Sequence, residues 1–204
     1  MLTFIYLVAI TAEAMSGALA AGRRSMDIFG VAVVAFVTAL GGGTVRDLIL
    51  GHYPIGWTQH PPYIYLVIGA GLLTIVVAPY MHHLKRTFLV LDALGLVAFS
   101  LIGCDGGLQM NYRVAVVIMA GMITGIFGGI LRDVLCAQVP VVFQREIYAI
   151  VSLAVCGLFL SLRALGVDQE LNTVISFAAG LSLRLAAIYF SWSLPTFAYD
   201  RRWD

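Results

Sequence analysis

Two glycine-rich motifs, each followed by an arginine and an aspartate, are the residues of this sequence best suited to chemistry. Residues 38–47 read TALGGGTVRD and residues 124–133 read TGIFGGILRD. A shift of 86 positions superposes the threonine, the last two glycines, the arginine and the aspartate of the two copies. Pro54 and Pro140 correspond at the same shift. Interrupted helices in matching halves of a membrane protein indicate a transport pathway.

The glycines suggest how such a pathway could bind an ion. Each glycine costs about 1 kcal/mol relative to alanine inside a helix, so three in a row predict a kink or an unwound turn. The carbonyl end of the preceding half-helix would attract a cation, and the amide end of the following one an anion. The alternative is that small residues let two membrane helices pack closely. The carbonyls predicted to bind monovalent ions transiently belong to Gly41, Gly42, Gly128 and Gly129.

Charged and hydroxyl side chains extend the predicted pathway. Charges inside membrane spans are costly, and they usually mark a pathway or an ion pair. Each motif arginine is therefore expected to pair with an acid of the other half or with adjacent helix ends. The alternative is that both pairs lie at the headgroup level as anchors. The full set of predicted pathway residues is Gly41, Gly42, Gly43, Thr38, Thr44, Arg46, Asp47, Thr124, Gly128, Gly129, Arg132, Asp133, Glu13, Ser16 and Ser100.

Three further charged residues fall within apolar segments. Glu13 lies near the middle of the first segment, where a carboxylate needs water or a partner such as an arginine. Asp92 is expected at the start of the fourth span, where it would cap the helix. Arg184 lies inside the last span, and it either pairs with an acid or extends to the membrane interface.

Composition defines the elements that position these residues. The chain has 204 residues, of which 61% are hydrophobic and 11% charged, and its mean hydropathy is +0.95. A soluble domain carries about 25% charged residues, and a membrane helix needs about 20 apolar ones. The sequence therefore predicts an all-α membrane protein without room for a soluble domain. The seven predicted spans are 2–21, 28–50, 63–81, 88–103, 114–136, 147–165 and 173–192.

The spans group into an inverted repeat. Each motif lies in the middle helix of a triplet, and three is odd, so the triplets enter the membrane from opposite sides. We predict one transmembrane domain over 1–204, with repeats at about 1–84 and 85–166 and a seventh helix at about 171–193. Two Ala-x-Ser pairs, at 14–16 and 98–100, suggest an offset of 84 for the first helix of each repeat.

The distribution of basic residues predicts the orientation. Cytoplasmic connections carry the excess of Lys and Arg. The N-terminus is therefore expected outside and the C-terminus inside, and the first segment is expected to be a retained helix because no basic residue precedes it. On the predicted inner side lie Arg23, Arg24, Lys85, Arg86, Arg145, Arg201 and Arg202, against Arg113 and Arg163 on the outer side.

Enzymatic and metal chemistry find no support in the sequence. The three cysteines, Cys104, Cys136 and Cys156, lie in or beside apolar segments and form no C-x-x-C pair. We expect no disulfide and no metal site. The chain has no nucleophile triad, phosphate loop or nucleic-acid motif, so the expectation is a protein that is not an enzyme, has no cofactor and binds no nucleic acid.

The doubled glycine motif followed by Arg-Asp, in a seven-helix chain, resembles the prokaryotic members of the trimeric intracellular cation (TRIC) channel family. The segments that carry the resemblance are residues 41–48, GGGTVRDL, and residues 128–134, GGILRDV. The resemblance implies a 3+3+1 helix fold, a homotrimer in the bacterial inner membrane, and contact with membrane lipid. It also implies an hourglass pore in each subunit, lined by the second and fifth helices, for potassium, sodium and other monovalent cations. Animal members bind acidic phospholipid through a lysine in these helices, and here no lysine is present.

Three functions remain open at this point. The first is a potassium channel whose ions pass the glycine motifs. The second is a transporter of glycine or another small zwitterion, because an arginine with an amide end suits a carboxylate and an acid suits an ammonium group. The third is a membrane scaffold without a pore.

Overall fold

The computed structural model describes residues 1–80, 84–144 and 147–193. The predicted end of the third span at residue 81, and Arg145, Arg201 and Arg202 of the charge argument, lie outside them. Seven long helices follow one another in the described part, with a single helical turn, Val141–Gln144, before the sixth. They are α1 (Leu2–Gly22), α2 (Ile28–Leu50), α3 (Pro62–Val77), α4 (Leu84–Gln109), α5 (Val114–Leu135), α6 (Tyr148–Ala164) and α7 (Gln169–Tyr189).

Five of these helices are long and apolar enough to cross a membrane, and so is α3 together with the 3-10 turn Ala78–Tyr80 that follows it. The helix α6 is a shorter apolar helix of 17 residues. Local signals fix several of their ends. The Asp27 carboxylate accepts a hydrogen bond from the Gly30 amide at 2.7 Å and caps the start of α2. Asp168 caps α7 in the same way, and α3 begins with a proline. The prediction of an all-α membrane protein with seven spans is confirmed.

The helices α1 and α4 lie at the centre of the bundle. Within the most apolar stretch of each helix, 67% of the residues of α4 and 61% of those of α1 are buried. In α3 only 22% of these residues are buried. One core cluster joins α1, α2 and α3 with part of α4, and another joins α4, α5 and α6. The packing therefore follows the two predicted triplets, with α1 and α4 in contact between them.

The two halves repeat one another at an offset of 86. After each motif the chain leaves the helix through a left-handed residue, Gly51 at φ 65° and its counterpart Ala137 at φ 50°. At two further matched positions, Gly17 of α1 and Gly103 of α4 each lie against a motif threonine hydroxyl, on Thr38 and Thr124 respectively.

These matched contacts correct one prediction. An offset of 86 also holds for α1 and α4, so the offset of 84 suggested by the two Ala-x-Ser pairs is wrong. The serines of those pairs are not counterparts, because small residues recur in membrane helices for reasons of packing alone. The exact boundaries of the repeats stay a prediction.

Candidate functional site

The two glycine motifs meet where α2 crosses α5. A Cβ atom on Gly42 would collide with the carbonyl oxygen of Thr124, and one on Gly128 would collide with the carbonyl oxygen of Thr38. The contact is reciprocal, since Thr38 and Gly42 correspond to Thr124 and Gly128. Backbone approaches backbone here without an intervening side chain, as in the small-residue crossings of membrane helices.

The predicted unwound turn is wrong. Both helices are continuous through their motifs, α2 over Ile28–Leu50 and α5 over Val114–Leu135. The physical reason is that backbone groups freed in hydrocarbon cost several kcal/mol each, more than the propensity that a glycine loses. A kink at the glycines, and transient ion binding by the carbonyls of Gly41, Gly42, Gly128 and Gly129, stay predictions.

The remaining motif glycines face different surroundings. A Cβ on Gly41 would lie 2.8 Å from a methyl carbon of Leu131, and one on Gly129 would lie 3.4 Å from the Tyr148 hydroxyl. A Cβ on Gly43 would meet nothing within 4 Å. Gly43 instead forms part of the wall of a cavity.

That cavity has a volume of about 430 Å³ and opens on the side of the bundle where α1 begins and α2 ends, called here the Met1 side. It extends from Leu2 and Thr3 down to Thr124 at the α2–α5 crossing. Its polar wall contains Thr44, Arg46, Asp47, His60, Asp105, Gln109 and Thr124. Its aromatic wall contains Tyr6, Trp57, Tyr63 and Phe99.

The three motif threonines all donate their hydroxyl hydrogen to their own helix. Thr38, Thr44 and Thr124 each bond to the carbonyl four residues earlier, at 2.6, 2.8 and 2.7 Å. Thr44 also accepts a hydrogen bond from the indole nitrogen of Trp57 at 3.0 Å. With their hydrogens engaged, these oxygens present only lone pairs to their surroundings, which suits a cation rather than an anion.

At the cavity, Arg46 is held by its neighbour in sequence. Its Nε and Nη2 atoms donate to Asp47 Oδ1 at 2.9 and 2.6 Å. The second oxygen of Asp47 accepts from the Gly56 amide at 3.1 Å. Arg46 keeps 13% of its side chain exposed, and Asp47 only 1%. The arginine charge is thus neutralised locally while its side chain still faces the cavity.

Arg132 repeats this pairing on the opposite side, in a closed environment. Its Nε donates to Asp133 Oδ1 at 2.8 Å, and Asp133 Oδ2 accepts from the Val141 amide at 2.9 Å. Its Nη1 also donates to Asp92 Oδ1 at 2.7 Å and to Ser16 Oγ at 2.9 Å. Only 1% of the Arg132 side chain is exposed, so the interpretation as a headgroup anchor is wrong for this residue.

The acids that bind the two motif arginines come from their own halves. Asp92 and Asp133 belong to the same half as Arg132, and the contact that joins the halves is the Ser16 hydroxyl. Of the two alternatives predicted for each arginine, pairing with an acid of the other half is wrong, as no such salt bridge occurs among the residues described, and contact with adjacent helix ends stays a prediction. The aspartate that directly follows each arginine lies within hydrogen-bond distance of it, so each arginine pairs with its neighbour in sequence rather than with an acid of the other half.

Asp92 and Arg184 belong to the same closed region. Because α4 begins at Leu84, Asp92 lies two turns inside the helix, so the expected role as a cap is wrong. Arg184 Nη2 lies 4.0 Å from Asp92 Oδ2, and its guanidinium carbon lies 4.6 Å from the centre of the Tyr148 ring. The alternative that Arg184 pairs with an acid is confirmed, and extension to the interface is wrong.

Two further residues of the predicted pathway, Glu13 and Ser100, lie in different parts of the structure. Glu13 is 3% exposed and lies in the electrostatic field of Asp92, Arg132 and Asp133, so an arginine, one of the predicted alternatives, is close to it. Ser100 lies elsewhere, because its hydroxyl is 2.6 Å from that of Ser152 between α4 and α6.

The side opposite Met1 is closed by an aromatic ring. The guanidinium carbons of Arg23 and Arg132 lie 4.5 and 4.6 Å from the centre of the Phe88 ring. Around Gly129 and Tyr148 the described residues leave no space for a water molecule. Arg23 is beyond the end of α1, where partial burial lowers the pKa of its guanidinium and nearby Arg132 lowers it further.

Sequence reasoning missed Asp105, Phe88 and the aromatic wall of the cavity. Asp105 was hidden because the fourth span was predicted to end at 103, whereas α4 continues to Gln109. Nothing in the sequence marked Phe88 as a functional residue, since one aromatic residue in an apolar run is typical of any core helix.

Comparison with known proteins identifies the family. A family model described as glycine transporter matches residues 3–79 and 89–164, two segments whose starts are 86 positions apart. The inner membrane protein YadS of Escherichia coli (strain K12), a UPF0126 protein, is 37% identical over 198 residues, 95% of each chain. The solved TRIC channel orthologue from Rhodobacter sphaeroides is 35% identical, with a TM-score of 0.89 over 94% of this chain and 98% of that one. This chain belongs to the TRIC family.

A second solved TRIC cation channel, studied for its conductance, is 32% identical, with a TM-score of 0.88 over 97% of this chain and 98% of that one. The TRIC fold and the membrane location inferred from the sequence are thereby confirmed. As a member of a channel family, the chain is not an enzyme.

Proposed function

We propose that this TRIC protein is a monovalent cation channel that conducts potassium, with sodium as a second permeant ion. The observation that carries the proposal is the cavity on the Met1 side, which ends at the α2–α5 crossing and whose wall holds two acids and one arginine. Clefts lined by an excess of one sign of charge concentrate the opposite ion. Each subunit would contain one such pathway, and the solved relative from Rhodobacter sphaeroides is described as a trimeric intracellular cation channel orthologue.

Asp105 is the residue that gives the cavity its excess of negative charge. Its carboxylate accepts hydrogen bonds from the amide groups of Gln109 at 2.6 Å and Gln169 at 3.1 Å. Within the described part of the chain no basic group forms a salt bridge with it. Amide donors orient a carboxylate without cancelling its charge, so Asp105 remains available to attract a cation.

The threonines supply the next set of ligands. Thr44 and Thr124 line the cavity with oxygens whose hydrogens point to their own helices. A dehydrating cation needs such lone pairs in place of water. We propose that ions pass from Asp105 and Thr44 to Thr124, and then across the glycine crossing into the half that is closed here by Phe88 and Arg132. The motif glycines keep α2 and α5 close enough to share this path, and Arg46 and Arg132 stay paired beside it.

Ion flux from liposomes tests this function. Purified protein is reconstituted, a potassium gradient is imposed, and flux is compared with uptake of radiolabelled glycine. We expect potassium flux and no saturable glycine uptake. The Asp105→Asn variant should lose flux several-fold because it removes the unpaired charge. Asp168→Asn, an exposed cap at the start of α7 where asparagine also caps, is the matched control and should conduct like wild type.

A facilitator of glycine or another small zwitterion is the second candidate. The cavity holds Arg46, a partner for a carboxylate, and Asp105, a partner for an ammonium group. The matching family model is described as glycine transporter. Saturable glycine uptake without potassium flux would establish this candidate and overturn the channel. Absence of both would favour a scaffold.

We further propose that the protein is a homotrimer of the bacterial inner membrane, with the N-terminus outside and the C-terminus cytoplasmic. Apolar side chains exposed along the spans, such as Leu73, Val76 and Met119, would face lipid or the neighbouring subunits. Light scattering of the purified protein with bound detergent subtracted should give three times the mass of one chain, and a monomer mass would overturn the trimer.

A further inference from the structure

Glu13 is a buried carboxyl group with an oxygen that nothing satisfies. Only 3% of the residue is exposed, and its Oε2 atom has no hydrogen-bond partner in the described part of the chain. The side chain presses against Gly95 of α4, where a Cβ atom would collide with the carboxyl oxygen Oε1. A bare carboxylate oxygen in such a place loses its hydration without compensation.

The charges around Glu13 do not balance. We call Glu13, Asp92, Arg132, Asp133 and Arg184 the buried charge cluster, since each is at most 4% exposed. It contains three acids and two guanidiniums. The salt bridges of the two arginines, among the described residues, go to the two aspartates. With every member ionised the cluster would carry one negative charge, and that charge would fall on Glu13.

Among the described residues, the helices packed against α1 direct no further cation towards Glu13, since Lys85 and Arg86 of α4 are exposed. Towards Glu13 face Asp92 from α4, Arg132 and Asp133 from α5, and the Tyr148 hydroxyl from α6. The charged residues within α2 are Arg46 and Asp47, at its far end, and α3 contains none. Within the described part of the chain, no other group balances the charge of an ionised Glu13.

A metal cation does not suit the cluster. Among the described residues, no group of three or more His, Cys, Asp or Glu side chains is placed to hold a metal ion. The carboxylates of Asp92 and Asp133 already accept hydrogen bonds from Arg132. A proton needs no volume. Protonation removes the negative charge, which is costly in the membrane interior.

We propose that Glu13 is a proton-binding site, and that its proton completes the buried charge cluster in this closed state. Opening the side opposite Met1 would bring water to Glu13, and an ordinary glutamic acid in water is ionised at neutral pH. The closed state then holds one proton more than the open state. By linkage, acid favours the closed state and alkali the open one. The effect on flux rests on the proposed channel function, whereas the protonation of Glu13 does not.

Infrared spectroscopy of the reconstituted protein tests the site without any transport. A protonated carboxyl group has a carbonyl stretch that is separate from the carboxylate bands and shifts in heavy water. We expect this band at neutral pH in wild type, its loss in Glu13→Gln, and its retention in Glu170→Gln, the same substitution at an exposed position of α7. Absence of the band from wild type overturns the proposal even if Glu13→Gln fails to fold, and so does a band that Glu13→Gln leaves unchanged.

Potassium flux then tests the linkage. Wild-type flux should fall as pH decreases, by up to about tenfold for each pH unit, the limit for one coupled proton. Glu13→Gln imitates the protonated form and should conduct weakly at every pH, while Glu170→Gln should follow wild type. Flux that is independent of pH in wild type would overturn the linkage. A chain that conducts no potassium would contradict the proposed function, and the infrared band would still decide the site.

Discussion

The same dipeptide, Arg-Asp, has two different environments in this protein. Both arginines donate Nε to the carboxylate of the next residue, and both aspartates accept a backbone amide from the connection that follows. Only Arg132 also bonds to Asp92 and Ser16, with 1% of its side chain exposed against 13% for Arg46. The local sequence thus determines the pair, and the neighbouring helices determine whether it lies beside a cavity or in a closed cluster.

Removing Arg132 should therefore cost far more stability than removing Arg46. Arg132→Ala leaves Asp92 and Asp133 buried without their partner, and loss of one member of a buried pair costs about 3–5 kcal/mol. Arg46→Ala leaves Asp47 next to a water-accessible cavity and should cost less. The measurement is the free energy of unfolding of both variants in detergent. Equal losses would show that the two arginines share one kind of environment.

Among the contacts between helices, the crossing of α2 and α5 is the one that the glycine motifs determine. Four residues, Thr38 and Gly42 on one helix and Thr124 and Gly128 on the other, bring two backbones into direct contact. Because both helices remain continuous, the glycines act through the absence of a side chain rather than through a flexible backbone.

Adjacent glycines should respond oppositely to the same substitution. Gly42→Ala places a methyl group against the Thr124 carbonyl and should cost about 1–3 kcal/mol, as overpacking does. Gly43→Ala, whose Cβ meets nothing within 4 Å, should be neutral or should gain up to about 1 kcal/mol of helix propensity. Thermal unfolding in detergent compares the two. Equal destabilisation by both variants would favour the flexible-backbone interpretation after all.

Phe88 stands where the end of α1 and the start of α4 meet α5, and its ring separates Arg23 from the buried Arg132. Phe88→Ala should open the side opposite Met1 to water and raise potassium flux from liposomes. Phe143→Ala, an exposed phenylalanine near the same end of the bundle, serves as the control and should leave flux unchanged. Flux that stays at the wild-type level in a folded Phe88→Ala protein would remove the ring from the pathway.

Individual helices show most clearly how much of the fold could be predicted from the sequence. The predicted span 28–50 coincides with α2, because Asp27 caps its start and Gly51 its end. The fourth span was predicted as 88–103, yet α4 covers Leu84–Gln109, since charged residues near the ends do not stop a helix that is packed on several sides. Because of this error, Asp105 was placed outside the span and Asp92 was predicted to cap the start of a helix. For Glu13 the sequence predicted only a need for water or a partner such as an arginine, because the identity of the partner depends on how α1, α4 and α5 pack.

At the scale of the whole molecule, the closed end and the cavity lie at opposite ends of the helix bundle. The distribution of basic residues predicts that the Met1 side, and with it the cavity, faces the outside of the cell. All three cysteines are buried, so single introduced cysteines can report the orientation.

In intact cells, a membrane-impermeant maleimide should label Thr58→Cys, in the connection after α2, and should not label Lys85→Cys, near the start of α4. Both positions are exposed, so permeabilised cells provide the control in which both variants react. Labelling of Lys85→Cys alone in intact cells would reverse the orientation and place the cavity on the cytoplasmic side.

The reciprocal contact at the helix crossing has one more consequence. Thr38 and Gly42 of one half meet Thr124 and Gly128 of the other, so each half contributes the same two types of residue at the same spacing. An interface of this kind is isologous, like that of a twofold dimer. A three-helix chain with a single Thr-x-x-x-Gly motif would therefore carry both sides of this joint, and two copies inserted in opposite directions could form it without any covalent link.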